Sequence, residues 1–219
     1  MATVRKWANV AVSMQSALAA AVTITAISKA APGVITATNT YANGDYVILN
    51  VQGMYQLNGR VFRVVNVSGT NFQIEDVTGG TGINTTNFDT FSSGTAQKIT
   101  FGTSISTATS VDASGGDFDF IDTTVIHTNQ KTQIPGTANA ISFSMDHLWD
   151  VTDPAQIAMK VATDTQDQRA FKFTFGTGGP VMVFSGYVGF VGTPGGSAQD
   201  KIVSQSTITA FGSPTDDRD

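Results

Sequence analysis

The sequence predicts a mainly β protein with one short α-helix, and three observations support this. Charged residues make up only 13% of the chain, so its polar surface comes chiefly from Thr, Ser, Asn and Gln. Short runs of β-branched and aromatic residues alternate with polar residues, which is the period of a half-buried strand. The 22 glycines recur between these runs, where tight turns are expected.

The first strand is predicted near the N-terminus, after a short leading segment of residues 1–12. Val22 and Ile24 alternate with threonines and indicate a strand over residues 22–27. Basic residues precede an Ala-rich stretch here, as in a secretion signal, but polar residues interrupt that stretch. We therefore favour a strand of the fold and predict no membrane span.

Residues 34–99 contain several short strands separated by tight turns. Turns are predicted at Asn43-Gly44, Asn58-Gly59 and Ser68-Gly69, each between apolar runs. A Gly-rich polar stretch follows and is predicted to be mostly loop. Strands this short and this closely spaced predict a compact β-barrel.

A second set of strands is predicted in residues 100–219. Phe143 and Met145 alternate with serines, and Phe171 and Phe173 alternate with polar residues before a Gly-rich turn. These patterns predict half-buried strands, the second of them in a hairpin.

The helix is predicted to begin at Pro154, directly after Asp153 as the N-cap. Ile157, Ala158 and Val161 lie on one side of such a helix. We expect this side to pack against the sheet.

The segment SGGDFDFIDTTVIH, residues 114–127, contains the densest group of acidic residues. In a strand, Asp117 and Asp119 face one side, while Phe118 and Phe120 face the other, towards the core. Two aspartates at this spacing are potential calcium ligands, but the pattern of a calcium loop is absent. We favour a solvated strand face, and we expect Asp122 to be paired with threonine hydroxyls or backbone N–H groups.

Nothing in the sequence indicates catalysis. The sequence has no cysteine, no nucleophile-elbow motif and no phosphate-binding loop. His127 and His147 are its two histidines, too few for the usual metal site or triad. Trp7 and Trp149 are candidates for ligand stacking, although packing in a core or an interface is the commoner role. We predict no enzyme activity, no cofactor and no metal.

The net charge of −5 argues against a groove that grips nucleic acid.

The order of short motifs in the second half resembles the tail tube proteins of long-tailed bacteriophages. The matching pieces are Ile121-Asp122-Thr123-Thr124, Pro135-Gly136, Asp153-Pro154, Gly186-Tyr187-Val188 and residues 200–212. The resemblance implies a tail-tube-type β-sandwich or barrel whose subunits form stacked, hexameric rings. It also implies a location in the virion tail after assembly in the host cytoplasm.

The same resemblance implies a set of partners. These are other copies of the chain, the tape measure protein inside the tube, and the tail tip and tail terminator proteins at its ends. DNA would pass through the tube without specific binding, and no membrane would be involved.

The N-terminal half resembles tail tube proteins that carry an inserted small barrel. That barrel resembles the first catalytic-cysteine half-domain of ubiquitin-activating enzymes, although this chain has no cysteine to supply such chemistry. The expected domains are a tail tube core of residues 1–33 and 100–219 and an inserted barrel of residues 34–99. We expect the barrel on the outside of the tube and expect its clean removal to leave a foldable core.

A tube also sets expectations for single residues. Asp117 and Asp119 are candidates to face the lumen, where negative charge repels phosphate. Residues 1–12 and the loop 126–140 are expected to carry contacts between subunits. The candidate inter-subunit residues are Trp7, His127, Lys131 and Pro135. The alternative is a β-sandwich binding module or adhesin that recognises carbohydrate or depends on calcium.

Overall fold

The computed structural model describes residues 7–75 and 82–217, and β-strands dominate this part of the chain. In chain order the strands are β1 (Val10–Met14), β2 (Ala17–Leu18), β3 (Val22–Ile27), β4 (Ile35–Ala37), β5 (Tyr46–Gln52), β6 (Val61–Ser68), β7 (Asn71–Glu75), β8 (Ser93–Thr100), β9 (Thr103–Ser104), β10 (Ala108–Ser114), β11 (Phe118–Asp122), β12 (Gln133–Ala138), β13 (Ser142–Leu148), β14 (Arg169–Phe175), β15 (Val181–Phe190), β16 (Val203–Ala210) and β17 (Thr215–Asp217). Helix α1 spans Pro154–Thr165, and a 3-10 turn spans Tyr55–Leu57. The predicted mainly β fold with a short α-helix is confirmed.

Eight strands form one antiparallel sheet in the order β10-β13-β16-β15-β14-β1-β9. The eighth strand, β17, pairs with β15 beyond the end of β16. The alternation in β1 buries Val12 and Met14, which lie opposite Phe173 and Phe171 of β14. This pairing ties the beginning of the chain to its last third.

The sheet curls around a single core. Phe143 on β13 and Phe173 on β14 lie three strand positions apart, which is about 14 Å in a flat sheet. Their ring centroids are nevertheless 5.7 Å apart, and Phe184 stacks on Phe143 at 4.7 Å. The strands predicted to form a sandwich therefore belong to one continuous, strongly bent sheet.

Six strands close into a small barrel in the order β3-β4-β7-β6-β5-β8, with β8 pairing with both β3 and β5. Alternate residues of β5 point inward, so that Val47, Leu49 and Val51 are buried with Phe62 and Phe72. Closure pairs both edges of every strand in this layer, which is the usual way in which short antiparallel strands avoid free edges.

The barrel begins earlier in the chain than the predicted boundary at residue 34. The strand predicted over residues 22–27 is present as β3, and it pairs with β4 and β8 inside the barrel. Strand alternation reveals a half-buried strand but not its partner, because the partner β8 lies some 70 residues away in sequence. Residues 1–6 and 76–81 lie outside the described residues, and with them part of the predicted leading segment and the beginning of the predicted Gly-rich loop.

Besides their separate cores, the barrel and the curled sheet share a third apolar cluster. Its buried members are Ile48, Val61, Ile99, Ala170 and Val183. Above it, the ammonium group of Lys172 lies 5.5 Å from the ring centre of Tyr46 and 5.1 Å from that of Phe101. Thr215 Oγ1 also donates a hydrogen bond to the carbonyl of Val61 at 2.7 Å. Apolar packing and polar contacts therefore join the two units.

Candidate functional site

A two-stranded hairpin arm, defined here as residues 115–140, projects from the curled sheet. It consists of β11 and β12, which pair only with each other among the described strands. Gly115 and Gly116 open the arm with φ angles of +86° and +84°, a region that other residues rarely adopt. A Cβ on Gly115 would lie 2.2 Å from the carbonyl oxygen of Ala140, so the two strands of the arm converge closely at its base.

The hairpin arm exposes an unusual amount of apolar surface. Its exposed large apolar side chains are Phe118, Phe120, Ile121, Val125, Ile126 and Ile134. Ile126, at the tip, is 97% exposed. Isolated exposed apolar residues are common on protein surfaces, but six of them on one projecting element favour an interaction site.

The prediction that Phe118 and Phe120 face the core is wrong in the isolated subunit. Every residue of β11 is exposed, because within residues 7–75 and 82–217 the hairpin arm is covered on neither face. The strand predicted here is present as β11, but an alternating pattern alone does not reveal whether another element covers one of its two faces.

Threonines brace the outer end of the hairpin arm. Thr123 N–H donates to the carbonyl of Thr132 at 2.9 Å, and the N–H of Thr132 donates to the Thr124 hydroxyl at 3.1 Å. The Thr128 hydroxyl donates to the carbonyl of Val125 at 3.0 Å. These bonds hold the tip in a defined shape, even though its apolar side chains are exposed.

The three aspartates of the arm do not form a metal site. Asp119 accepts a long hydrogen bond of 3.4 Å from the Asn139 amide, and Asp117 is exposed. Asp122 accepts from the N–H of Thr124 at 2.8 Å and lies 3.6 Å from Lys131 Nζ. The hydrogen bonds from Thr124 lower the pKa of Asp122, and Lys131 contributes further. The expected backbone N–H partner of Asp122 is confirmed.

The predicted inter-subunit residues occupy two places in the fold. His127, Lys131 and Pro135 are exposed on the hairpin arm. Trp7 is 54% exposed beside β14, with its ring centre 5.6 Å from that of Phe175 and 6.5 Å from that of Phe173. The structure therefore gathers three of the four on one projecting element and leaves Trp7 on the curled sheet.

The two histidines are not brought together. His147 is fully buried on β13, with Nε2 2.7 Å from the Ser206 hydroxyl and its ring against Phe190. Burial lowers the pKa of His147, although the nearby carboxylates Asp146 and Asp153 oppose this shift. Among the described residues, no three His, Asp or Glu side chains converge as a metal site would require.

The helix presents an outward apolar face that the sequence interpretation assigned to the core. Ile157 and Val161 are about half exposed, whereas Ala155, Met159 and Ala162 are buried against the sheet. The prediction that Ile157 and Val161 pack on the sheet is therefore wrong. Ala155, Met159 and Ala162 form an i, i+4, i+7 stripe of their own, and this stripe packs against the sheet instead.

A groove of about 350 Å³ runs along this outward helix face and is called the helix groove below. Its apolar lining consists of Trp149, Val151, Ile157, Val161, Phe190 and Val191. Trp149 is oriented by a hydrogen bond from its Nε1–H to the carbonyl of Gly192 at 3.0 Å. Sequence reasoning missed this groove. The relevant signal was the pair Ile157 and Val161, four residues apart, next to an apolar stretch at Trp149.

No helix in the described part of the chain is long and apolar enough to cross a membrane.

The model of one protein family, described as phage tail tube protein, matches residues 52–218, which is most of the chain. Comparison with curated proteins gives no match.

Proposed function

The chain belongs to the phage tail tube protein family, and we propose that it forms stacked, hexameric rings in the tail of a long-tailed phage. As a member of this family it is a structural subunit of the tail tube and a component of the virion tail, in a class of structural proteins rather than enzymes. The proposal adds that the tube encloses the tape measure protein and later conducts DNA.

The hairpin arm is the observation that carries this proposal. Its apolar residues lie on a braced hairpin that is exposed on both faces in the isolated subunit. Exposure of this surface is unfavourable in water, and burial against neighbouring subunits removes that cost. The arm is therefore proposed as the principal contact between rings, with His127, Lys131 and Pro135 at that contact.

Contacts within a ring are proposed at the edge of the curled sheet. β10 is the terminal strand of that sheet, so one side of its backbone is open to a strand from a neighbouring subunit. Trp7 is proposed to contribute to the same kind of contact from the curled sheet. Asp117 and Asp119 are proposed to face the lumen, in keeping with a net charge of −5 that disfavours DNA binding.

The barrel is proposed to be an outward-facing insertion that resembles the half-domain of ubiquitin-activating enzymes. All six of its strands are paired on both sides along the closed layer, so it offers little backbone for extending a ring. The tail tip and tail terminator proteins are proposed to bind the two ends of the completed tube, after assembly in the host cytoplasm.

Deletion of residues 127–134 tests the role of the hairpin arm. We expect the deleted chain to fold as a monomer, because no other described element packs on this segment, and we expect it to form no tubes. Negative-stain electron microscopy measures tube formation, and thermal melting measures folding. As a matched control, replacement of the same eight residues by Gly and Ser keeps the chain length and removes only the side chains.

The outcomes separate the alternatives. Tubes formed by the deleted chain would rule out the arm as the stacking contact. Native protein that stays monomeric at high concentration, even when seeded with tail tips, would contradict the tube function. A calcium-dependent rise in melting temperature would instead favour the adhesin alternative.

A further inference from the structure

We propose that the tip of the hairpin arm of one subunit binds in the helix groove of a second copy of this chain in the next ring. The inference rests on the proposed tube function and adds the surface that receives the arm.

The hairpin arm and the helix groove lie at opposite ends of the curled sheet. The arm leads into β13 at Ser142, and the groove begins at Trp149, just after β13 ends at Leu148. Seven residues of strand separate the two ends by about 20 Å. Backbone hydrogen bonds join both ends of β13 to neighbouring parts of the sheet. Ala210 N–H donates to the carbonyl of Ile141 at 2.8 Å, and Trp149 N–H donates to the carbonyl of Ile202 at 3.1 Å.

The chemistry of the two surfaces matches. The tip presents Val125 and Ile126, both branched aliphatic side chains with more than half of their surface exposed. The groove offers an apolar lining with room for one or two such side chains. Its rim is polar, with Asp150, Lys160 and Asp164. An apolar centre with a polar rim is the usual arrangement of a protein interface.

The hairpin arm is long enough to reach a neighbouring copy. Strand β11 has 5 residues, which correspond to roughly 17 Å, and the tip at Ile126 lies beyond its end. Because β11 and β12 are exposed along their whole length apart from half-buried Gly136, the arm points away from its own subunit rather than along it.

The position of the two surfaces selects a second copy as the occupant of the groove. A contact between two different surfaces of identical chains is heterologous, and it repeats without closing when the chains translate along an axis. A tube grows in this way. A symmetric contact of arm with arm would instead close after one pair of rings.

Cysteine cross-linking tests this contact directly, because the native chain has no cysteine and therefore no background reaction. Chains carrying Ile126→Cys are mixed with chains carrying Val161→Cys and then oxidised. We expect disulfide-linked dimers from this mixture. The matched control replaces Val161→Cys by Tyr55→Cys, an exposed position on the barrel, and we expect about tenfold fewer dimers from it.

Charge substitutions test whether the contact is needed for stacking. Ile126→Asp and Val161→Asp should each weaken stacking by about tenfold or more, since they place a carboxylate in an apolar contact. Tyr55→Asp should leave stacking unchanged. Because these side chains are exposed in the subunit, all three variants should keep the native melting temperature.

The possible failures are distinguishable. Native tubes with no cross-link between Ile126→Cys and Val161→Cys chains, or undiminished tube growth by Val161→Asp, would overturn the docking and leave the tube function standing. Cross-linked dimers without rings or tubes would support the docking and contradict the tube function. Absence of both cross-links and tubes in every variant would overturn both.

Discussion

Burial of His147 favours its neutral form, and we therefore expect this residue to make the stability of the subunit depend on pH below neutrality. The imidazole lies in the core with one nitrogen bonded to the Ser206 hydroxyl. Its pKa is lowered chiefly by burial, against the attraction of Asp146 and Asp153. A group with a lowered pKa binds fewer protons in the folded state than in the unfolded state.

The free energy of unfolding should therefore fall as the pH drops below about 6.5, the ordinary pKa of histidine. Above that pH the unfolded chain is also neutral at this position, so the dependence vanishes. Urea unfolding between pH 5.5 and 8 measures the slope. The variant His147→Gln should show a shallower slope than the native chain, and His127→Gln, which changes an exposed histidine, should not. Equal slopes in all three proteins would contradict the assignment.

Single side chains also show which features of the structure can be predicted from the sequence. Phe171 and Phe173 were predicted to lie in a half-buried strand, and both are fully buried. Phe118 and Phe120 have the same alternation and are exposed. The difference lies outside the strand itself, because burial depends on which distant element covers a face. The sequence pattern therefore predicted strand β11. It predicted neither β12, which lies within the expected loop 126–140, nor the projection of the arm from the sheet.

Helix α1 shows which features of an element are local. The predicted N-cap is confirmed, since Asp153 Oδ1 accepts from the N–H of Gln156 at 2.9 Å. Capping depends on residues adjacent in sequence and so is visible in the sequence. The buried face depends on which residues of the sheet the helix meets, and those residues are distant in sequence.

Loss of the N-cap should be measurable. Asp153→Ala should lower the free energy of unfolding by about 1 kcal/mol, within the range of roughly 0.5–2 kcal/mol known for such caps. Asp164→Ala is the matched control, because it removes an exposed carboxylate paired with Lys160 at 3.2 Å on the same helix. The control should change stability by less than about 0.5 kcal/mol. Urea denaturation measures both, and equal losses would exclude a capping role.

The whole molecule is held together by pairings between distant parts of the chain. β1 pairs with β14 across some 160 residues, and the barrel closes where β8 meets β3 and β5. The sequence indicated a barrel and a second group of strands, but not which strands are neighbours. Strand pairing depends on the arrangement of the entire chain rather than on local composition.

Coupling between the barrel and the curled sheet is testable at Ile48. This residue is buried against the curled sheet rather than in the barrel core. Ile48→Asp should lower the free energy of unfolding by at least about 2 kcal/mol, because it buries a polar group without a compensating hydrogen bond. We expect its thermal unfolding to separate into two transitions. Asn50→Asp, on the same face of β5 but exposed, should retain a single transition in calorimetry. A single transition for both variants would argue against coupling through this cluster.

The hairpin arm and the helix groove lie at opposite ends of one subunit, and this placement affects how the number of layers in an assembly can be set. In an assembly joined through these two surfaces, each added layer presents the same free end as the layer before it. The free end of the assembly is therefore the same whatever the number of layers already joined. In such an assembly the final length would be set by another molecule, and substitutions in this chain would alter whether layers join but not how many join.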